Sequence, residues 1–132
     1  MYRILLLTLF VLPVTAADYH LANAGDDTHD GLTQATAWRS LERASLHIFS
    51  PGDRLLLRGG DRFPGRLAVQ VLDGGDAKRP VTIAGIGTGL PVLLAGTGTG
   101  IEVHDSGVSL RDLHVLGSGR TSNTGDGVLF MN

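Results

Sequence analysis

From Arg54 to Asn132 glycine cuts the sequence into β-type runs of only three to five residues. Arg54-Leu55-Leu56-Leu57-Arg58 ends at Gly59-Gly60, and Leu67-Ala68-Val69-Gln70-Val71 is closed by Gly74-Gly75. Val81-Thr82-Ile83-Ala84 ends at Gly85, Val92-Leu93-Leu94-Ala95 at Gly96, and Leu113-His114-Val115-Leu116 at Gly117. A strand this short buries too little surface to hold a sheet by itself. Such strands are stable as rungs of a coil that stacks on its own earlier turns.

The spacing supports that reading. Runs begin at Arg54, Val81 and Val108, separated by 27 and 27 residues, and a second set begins at Leu67, Val92 and Leu113, separated by 25 and 21. Ile101-Glu102-Val103 lies between them, and Val128-Leu129-Phe130 starts 20 residues after Val108. Periods of about 20 to 50 residues mark solenoids. A β-sandwich would show longer strands and two-residue hairpin turns. Alternation then predicts an inward stack of Leu55, Leu57, Val81, Ile83, Val108 and Leu110. Upstream, Tyr19-His20-Leu21-Ala22 reads as a short strand and Asn23 to Gly31 as a polar turn. Ser40 is placed to cap a helix over Leu41 to Phe49, with Leu41, Ala44 and Ile48 on one face, ended by Pro51-Gly52. Lying across the open first coil, that helix would cover an exposed strand edge.

Composition narrows the class. Glycine is 19 of 132 residues without collagen periodicity, which with many Val, Leu and Ile indicates tight turns rather than disorder. There is no cysteine, which excludes disulfide staples, thiolate zinc sites and cysteine nucleophiles. The net charge of -2 includes no basic block that would hold nucleic acid. Met1 to Ala16 reads as a secretory leader: Arg3, the apolar Ile4–Val14, then Val14-Thr15-Ala16 at the cleavage positions. Its 11-residue apolar run is short of the ~20 needed to span a bilayer. The expectation is cleavage after Ala16, a secreted or periplasmic product starting at Ala17, and no membrane segment thereafter. The expected organisation is a leader at 1–16, a strand, turn and capping helix at 17–53, and β-helix coils at 54–132.

Several segments together resemble a known group. Asp18-Tyr19-His20-Leu21, Gly25-Asp26-Asp27 with Asp30-Gly31, Ala37-Trp38-Arg39-Ser40-Leu41, and Pro51-Gly52-Asp53 running through Leu55 to Gly60 resemble the N-terminal start of secreted right-handed parallel β-helix proteins of the pectate-lyase-like superfamily. Lys78 to Ile83 and Val108 to Gly117 look like its following coils. The resemblance implies an all-β fold, a right-handed parallel β-helix with a short N-terminal capping α-helix. It also implies a carbohydrate-active protein related to polysaccharide (uronate) lyases, with a polysaccharide partner. A non-catalytic β-helix adhesin or carbohydrate-binding protein is the alternative. Typical members run for many coils. This sequence offers about three and stops within Val128 to Asn132 without a second cap, so the expectation is incompleteness at the C-terminus, with the catalytic coils missing.

The residues assign no catalytic or substrate-binding set. Lyases of that superfamily use an Arg or Lys base, and Arg58, Arg62, Arg66, Arg111 and Arg120 are available, but no acidic cluster matches them on successive coils. Asp26-Asp27-Thr28-His29-Asp30-Gly31 has the spacing of a calcium loop's first half, with Asp26 and Asp30 as candidate ligands, yet Ala37 stands where the bidentate Glu belongs. A turn closed by Asp side chains accounts for the same letters. No cofactor is evident, and calcium enters through the resemblance alone. Asn123-Thr124-Gly125-Asp126-Gly127 is similar to a polygalacturonase-type motif with one glycine inserted, but its companion carboxylates are absent. His104-Asp105 and His114 lack metal-ligand spacing and read as outward-facing residues.

Overall fold

The computed structural model describes residues 15–119 and 121–131. The expected leader therefore lies outside the described residues except for Thr15 and Ala16, and Arg120 lies outside them too. The strands are β1 (Asp18–Leu21), β2 (Ile48–Phe49), β3 (Arg54–Arg58), β4 (Arg62–Pro64), β5 (Leu67–Val71), β6 (Val81–Ile86), β7 (Val92–Gly96), β8 (Ile101–Val103), β9 (Val108–Arg111), β10 (His114–Gly117) and β11 (Val128–Phe130), with helix α1 (Leu41–Ser45) before β2. They form three sheets, ordered β1-β3-β6-β9, β4-β7-β10 and β2-β5-β8-β11, and every pairing is parallel. Three full coils result, β3-β4-β5, β6-β7-β8 and β9-β10-β11, preceded by a partial one.

The expected period belongs to the first sheet. Thr82 pairs with Arg54 and with Ser109, and Val81 with Val108. The second expected set does not hold together: Leu67 pairs with Ile101, whereas Val92 pairs with Arg62 and His114. Each coil carries three strands rather than two, and Val128 returns to Ile101 instead of following Val108. The overlooked strand β4 has Phe63 as its one buried residue, flanked by exposed Arg62 and Pro64, so it leaves no apolar run.

Inward rows fill the coil. Tyr19, Leu55, Ile83 and Leu110 are successive partners in one row, and Phe63, Leu93 and Val115 in another. Leu55, Leu57, Val81 and Ile83 are buried as expected, while Val108 and Leu110 are partly buried against the same core. Each fully buried aliphatic side chain stabilises by about 1.5–3 kcal/mol relative to exposure. At one corner Gly75 has φ of 86°, and a Cβ there would stand 2.0 Å from the Ser106 carbonyl oxygen of the next coil. Only glycine fits that stacked turn.

The helix is shorter than expected. Ser40 caps it, its hydroxyl accepting the Arg43 N–H at 3.1 Å, but it ends at Ser45. Ile48 and Phe49 instead form β2 against β5. Strand alternation sends Phe49 into the core and leaves Ile48 54% exposed, not on a helical face with Leu41 and Ala44. The first coil is covered in parts: β1 pairs with β3, β2 with β5, and the Ser45 hydroxyl of α1 accepts the Ala68 N–H at 3.0 Å. Arg54 opens β3, which lies between β1 and β6 in its sheet. Tyr19 stacks on Trp38 at 5.1 Å, and the Trp38 indole N–H donates to the His29 carbonyl at 3.0 Å, joining β1 and the turn.

Candidate functional site

A parallel sheet in a β-helix has an inner face and an outer one. Alternation turns Tyr19 and Leu21, Leu55 and Leu57, and Val81 and Ile83 inward. Asp18 and His20, then Arg54, Leu56 and Arg58, then Thr82, Ala84 and Ile86 face outward. Two of these outward residues are nevertheless buried, Leu56 at 7% exposure and Ala84 at 5%. The chain from Ala22 to Ala37 folds beside this outer face.

That segment is held at several points. The Ala22 N–H donates to the Trp38 carbonyl and the Trp38 N–H to that of His20, each at 2.9 Å, while the His20 N–H donates to the Gly31 carbonyl at 2.7 Å. The Asn23 N–H donates to an Asp61 carboxylate oxygen at 2.9 Å, and its side-chain amide bridges the Arg62 backbone. Asp27 Oδ1 accepts the N–H groups of Arg39 and Ser40 at 2.8 and 2.9 Å, and its Oδ2 accepts the Ser40 hydroxyl at 2.6 Å.

Between the segment and the sheet lies a groove of about 500 Å³, with Leu56 and Ile86 as apolar lining and His20, Gln34 and Arg58 as polar lining. His20 Nδ1 is buried there without a hydrogen-bond partner. Arg58 forms none of the ion pairs found among the described residues. Among the described residues no carboxylate lines the groove. A guanidinium is always charged and matches planar oxyanions with two parallel N–H donors. Beside apolar lining, it makes a site suited to a ligand carrying both hydroxyls and an acidic group. The pair of carboxylates that glycoside hydrolysis uses is not in it.

Among the described residues, Arg58 is the only expected base that reaches the groove. Arg62 lies on β4, Arg66 pairs with Glu102 at 3.0 Å, and Arg111 ends β9 at the surface. Asp26 Oδ1 accepts the N–H and the hydroxyl of Thr28, which hold its carboxyl below the usual range. Asp30 Oδ1 accepts the Leu32 N–H with the same effect. Both are turn carboxylates occupied by their own loop, and no three metal-ligating side chains converge among the described residues. Asp105 accepts the Val71 N–H at 2.7 Å, whereas His104 lies 3.6 Å from Glu102 and His114 is on another sheet. Asn123 Oδ1 accepts the Ser118 N–H, so that motif closes a turn. Sequence reasoning missed His20 and Gln34. The signal for the groove was Leu56, an apolar residue at an outward position between two inward leucines.

No family model matches the chain, and no curated protein does. Among solved structures, that of the selenomethionine derivative of a GH136 lacto-N-biosidase from Eubacterium ramulus superimposes with a TM-score of 0.72 at 20% identity, over 86% of this chain and 24% of that one. The chain is a parallel β-helix. It spans about a quarter of the protein that it matches, and the likeness is one of fold. The expectation of an all-β parallel solenoid with a short N-terminal helix is met.

Proposed function

We propose that the chain forms the opening coils of a secreted, carbohydrate-active β-helix protein, and that its groove holds an acidic saccharide without cleaving it. The observation that carries this reading is the Arg58 guanidinium, outside every ion pair among the described residues, beside His20, Gln34 and the apolar Leu56 and Ile86, with no carboxylate of a described residue in the lining. The name of the similar structure, a lacto-N-biosidase, supports a carbohydrate ligand. The sequence's resemblance to uronate lyases suggests the acidic sugar, whose carboxylate Arg58 would neutralise.

The test titrates the chain with oligogalacturonate and with a neutral oligosaccharide of equal length, followed by amide NMR shifts. Arg58, Ile86 and Gln34 signals should move with the acidic ligand. Arg58→Gln should weaken binding about ten-fold, the loss of one charge-assisted hydrogen bond. Equal binding by Arg58→Gln, or formation of unsaturated uronate product, would overturn the proposal.

A further inference from the structure

Among the described residues Asp53 is the one buried charged side chain, at 3% exposure, and the groove does not use it. Its Oδ1 accepts the Ala17 N–H at 2.9 Å and its Oδ2 the Ser50 N–H at 2.8 Å. None of the ion pairs among the described residues includes it. A buried carboxylate with neutral donors alone is costly, and a cation in contact offsets much of that cost. Ala17 is fixed where it lies, because its carbonyl accepts the Arg54 N–H at 2.9 Å and so extends the β1–β3 ladder by one residue. The atom that Oδ1 holds is therefore the nitrogen of the residue that follows the leader's small-residue stretch, Val14-Thr15-Ala16.

We propose that the chain is cut between Ala16 and Ala17, and that the α-ammonium so created pairs with the buried Asp53 carboxylate and locks β1 onto the first coil. A leader peptidase would hydrolyse the Ala16–Ala17 peptide bond with one water. The carbonyl carbon of Ala16 takes the hydroxyl, and the Ala17 nitrogen leaves as an amine that is protonated at neutral pH. The neutral N–H···O contact then becomes a charged one without movement of the strand. A cut one residue earlier or later moves the charge about 3.3 Å along the strand and leaves Asp53 without it. Thr15 and Ala16 are exposed.

Other titrating groups are separable from the α-amine. Tyr19 and His47 both feel the Asp53 charge, with burial the larger influence on each, raising the Tyr19 phenol above its ordinary value and lowering the His47 imidazole below its own. Asp18 and Arg54, the next residues along the two strands, pair with each other. An α-amine ordinarily titrates near ~7.7–8.0. Pairing raises that value in the folded state, so its stabilisation is complete below ~7.7 and is lost as pH rises through the raised value. The window from pH 7 to pH 9.5 stays above His47 and below Tyr19.

The experiment exports the full chain with its own leader from a bacterium and reads the intact mass and N-terminal sequence of the product, expected to start at Ala17. Melting of that product is compared with forms bearing one extra residue, Ala16, or an acetylated Ala17. At pH 7 the Ala17 form should melt about 4 °C higher than either. The gap should shrink toward pH 9.5 and vanish in an Asp53→Asn background. If Asp53→Asn does not fold, the acetylated form carries the test. A product starting elsewhere, or equal melting of the three forms at pH 7, would overturn the proposal.

Discussion

Removing the Asp27 carboxylate should loosen the join between the groove-side segment and the helix. Asp27 accepts the Arg39 and Ser40 N–H groups and the Ser40 hydroxyl, and that hydroxyl in turn accepts the Arg43 N–H. Burial pushes the Asp27 carboxyl up, but the Ser40 hydroxyl and the two N–H groups together outweigh it and hold the group below the usual carboxylate range. A hydrogen bond to a charged acceptor contributes about 1.5–3 kcal/mol. Here the side chain is exposed and water replaces part of each bond, so Asp27→Ala should cost about 1–2 kcal/mol in all. Tm should fall by about 4–10 °C at pH 7, read by circular dichroism. Asp27→Asn keeps the accepting oxygen and loses the charge, and should cost about half as much. The pH dependence separates this mechanism from simple loss of shape. A carboxyl held low stabilises the fold above its unfolded value near ~3.9, and that contribution disappears as pH falls through the folded value. The gap between wild type and Asp27→Ala should therefore be full at pH 7 and should narrow steadily below pH ~3.9. A gap unchanged down to pH ~2.5, or none at pH 7, would refute the reasoning.

Ile83→Ala removes a fully buried side chain from the middle of an inward row and should cost about 2–5 kcal/mol, lowering the urea midpoint with little change in slope. Gly75→Ala and Gly74→Ala separate two costs, since both positions have positive φ but only Gly75 faces the next coil, with Ser106 O at 2.0 Å from an added Cβ. Gly74→Ala should cost about 1–2 kcal/mol and Gly75→Ala clearly more in urea denaturation. Equal costs would show that coil stacking does not restrict Gly75.

The part of the fold that the sequence discloses is the part that repeats at a fixed interval. β3, β6 and β9 share one sheet and nearly one period, so their starts align by eye. β4 has Phe63 as its single buried residue and Pro64 beside it, so nothing in its letters separates it from a loop. The start of the helix is legible because a capping serine, Ser40, is a local signal. Its end depends on β2 finding β5 about twenty residues away, which is a tertiary event. The groove was hidden for the same reason. An Arg58 at a strand end reads as one solvated charge among five until the segment from Ala22 to Ala37 is seen beside Leu56. Three consecutive leucines in β3 did hold the clue, since the middle one must face away from the core.

Groove and N-terminus depend on one strand. β1 supplies His20 to the groove and Tyr19 to the core, yet it is four residues long and lies at the edge of its sheet. Its outward ion pair, Asp18 with Arg54, is exposed on both sides and such pairs contribute about 0–1 kcal/mol. Ladder bonds to β3 and the stacking of Tyr19 on Trp38 do more, but an edge strand opens more readily than one paired on both sides. The N-terminal end of β1 is where the Asp53 carboxylate accepts the Ala17 N–H. An anchor there protects His20, three residues on, against the opening most able to dismantle the groove wall. The Pro51-Gly52-Asp53 turn therefore does more than start the first full coil: its aspartate joins the start of that coil to the start of the strand above it.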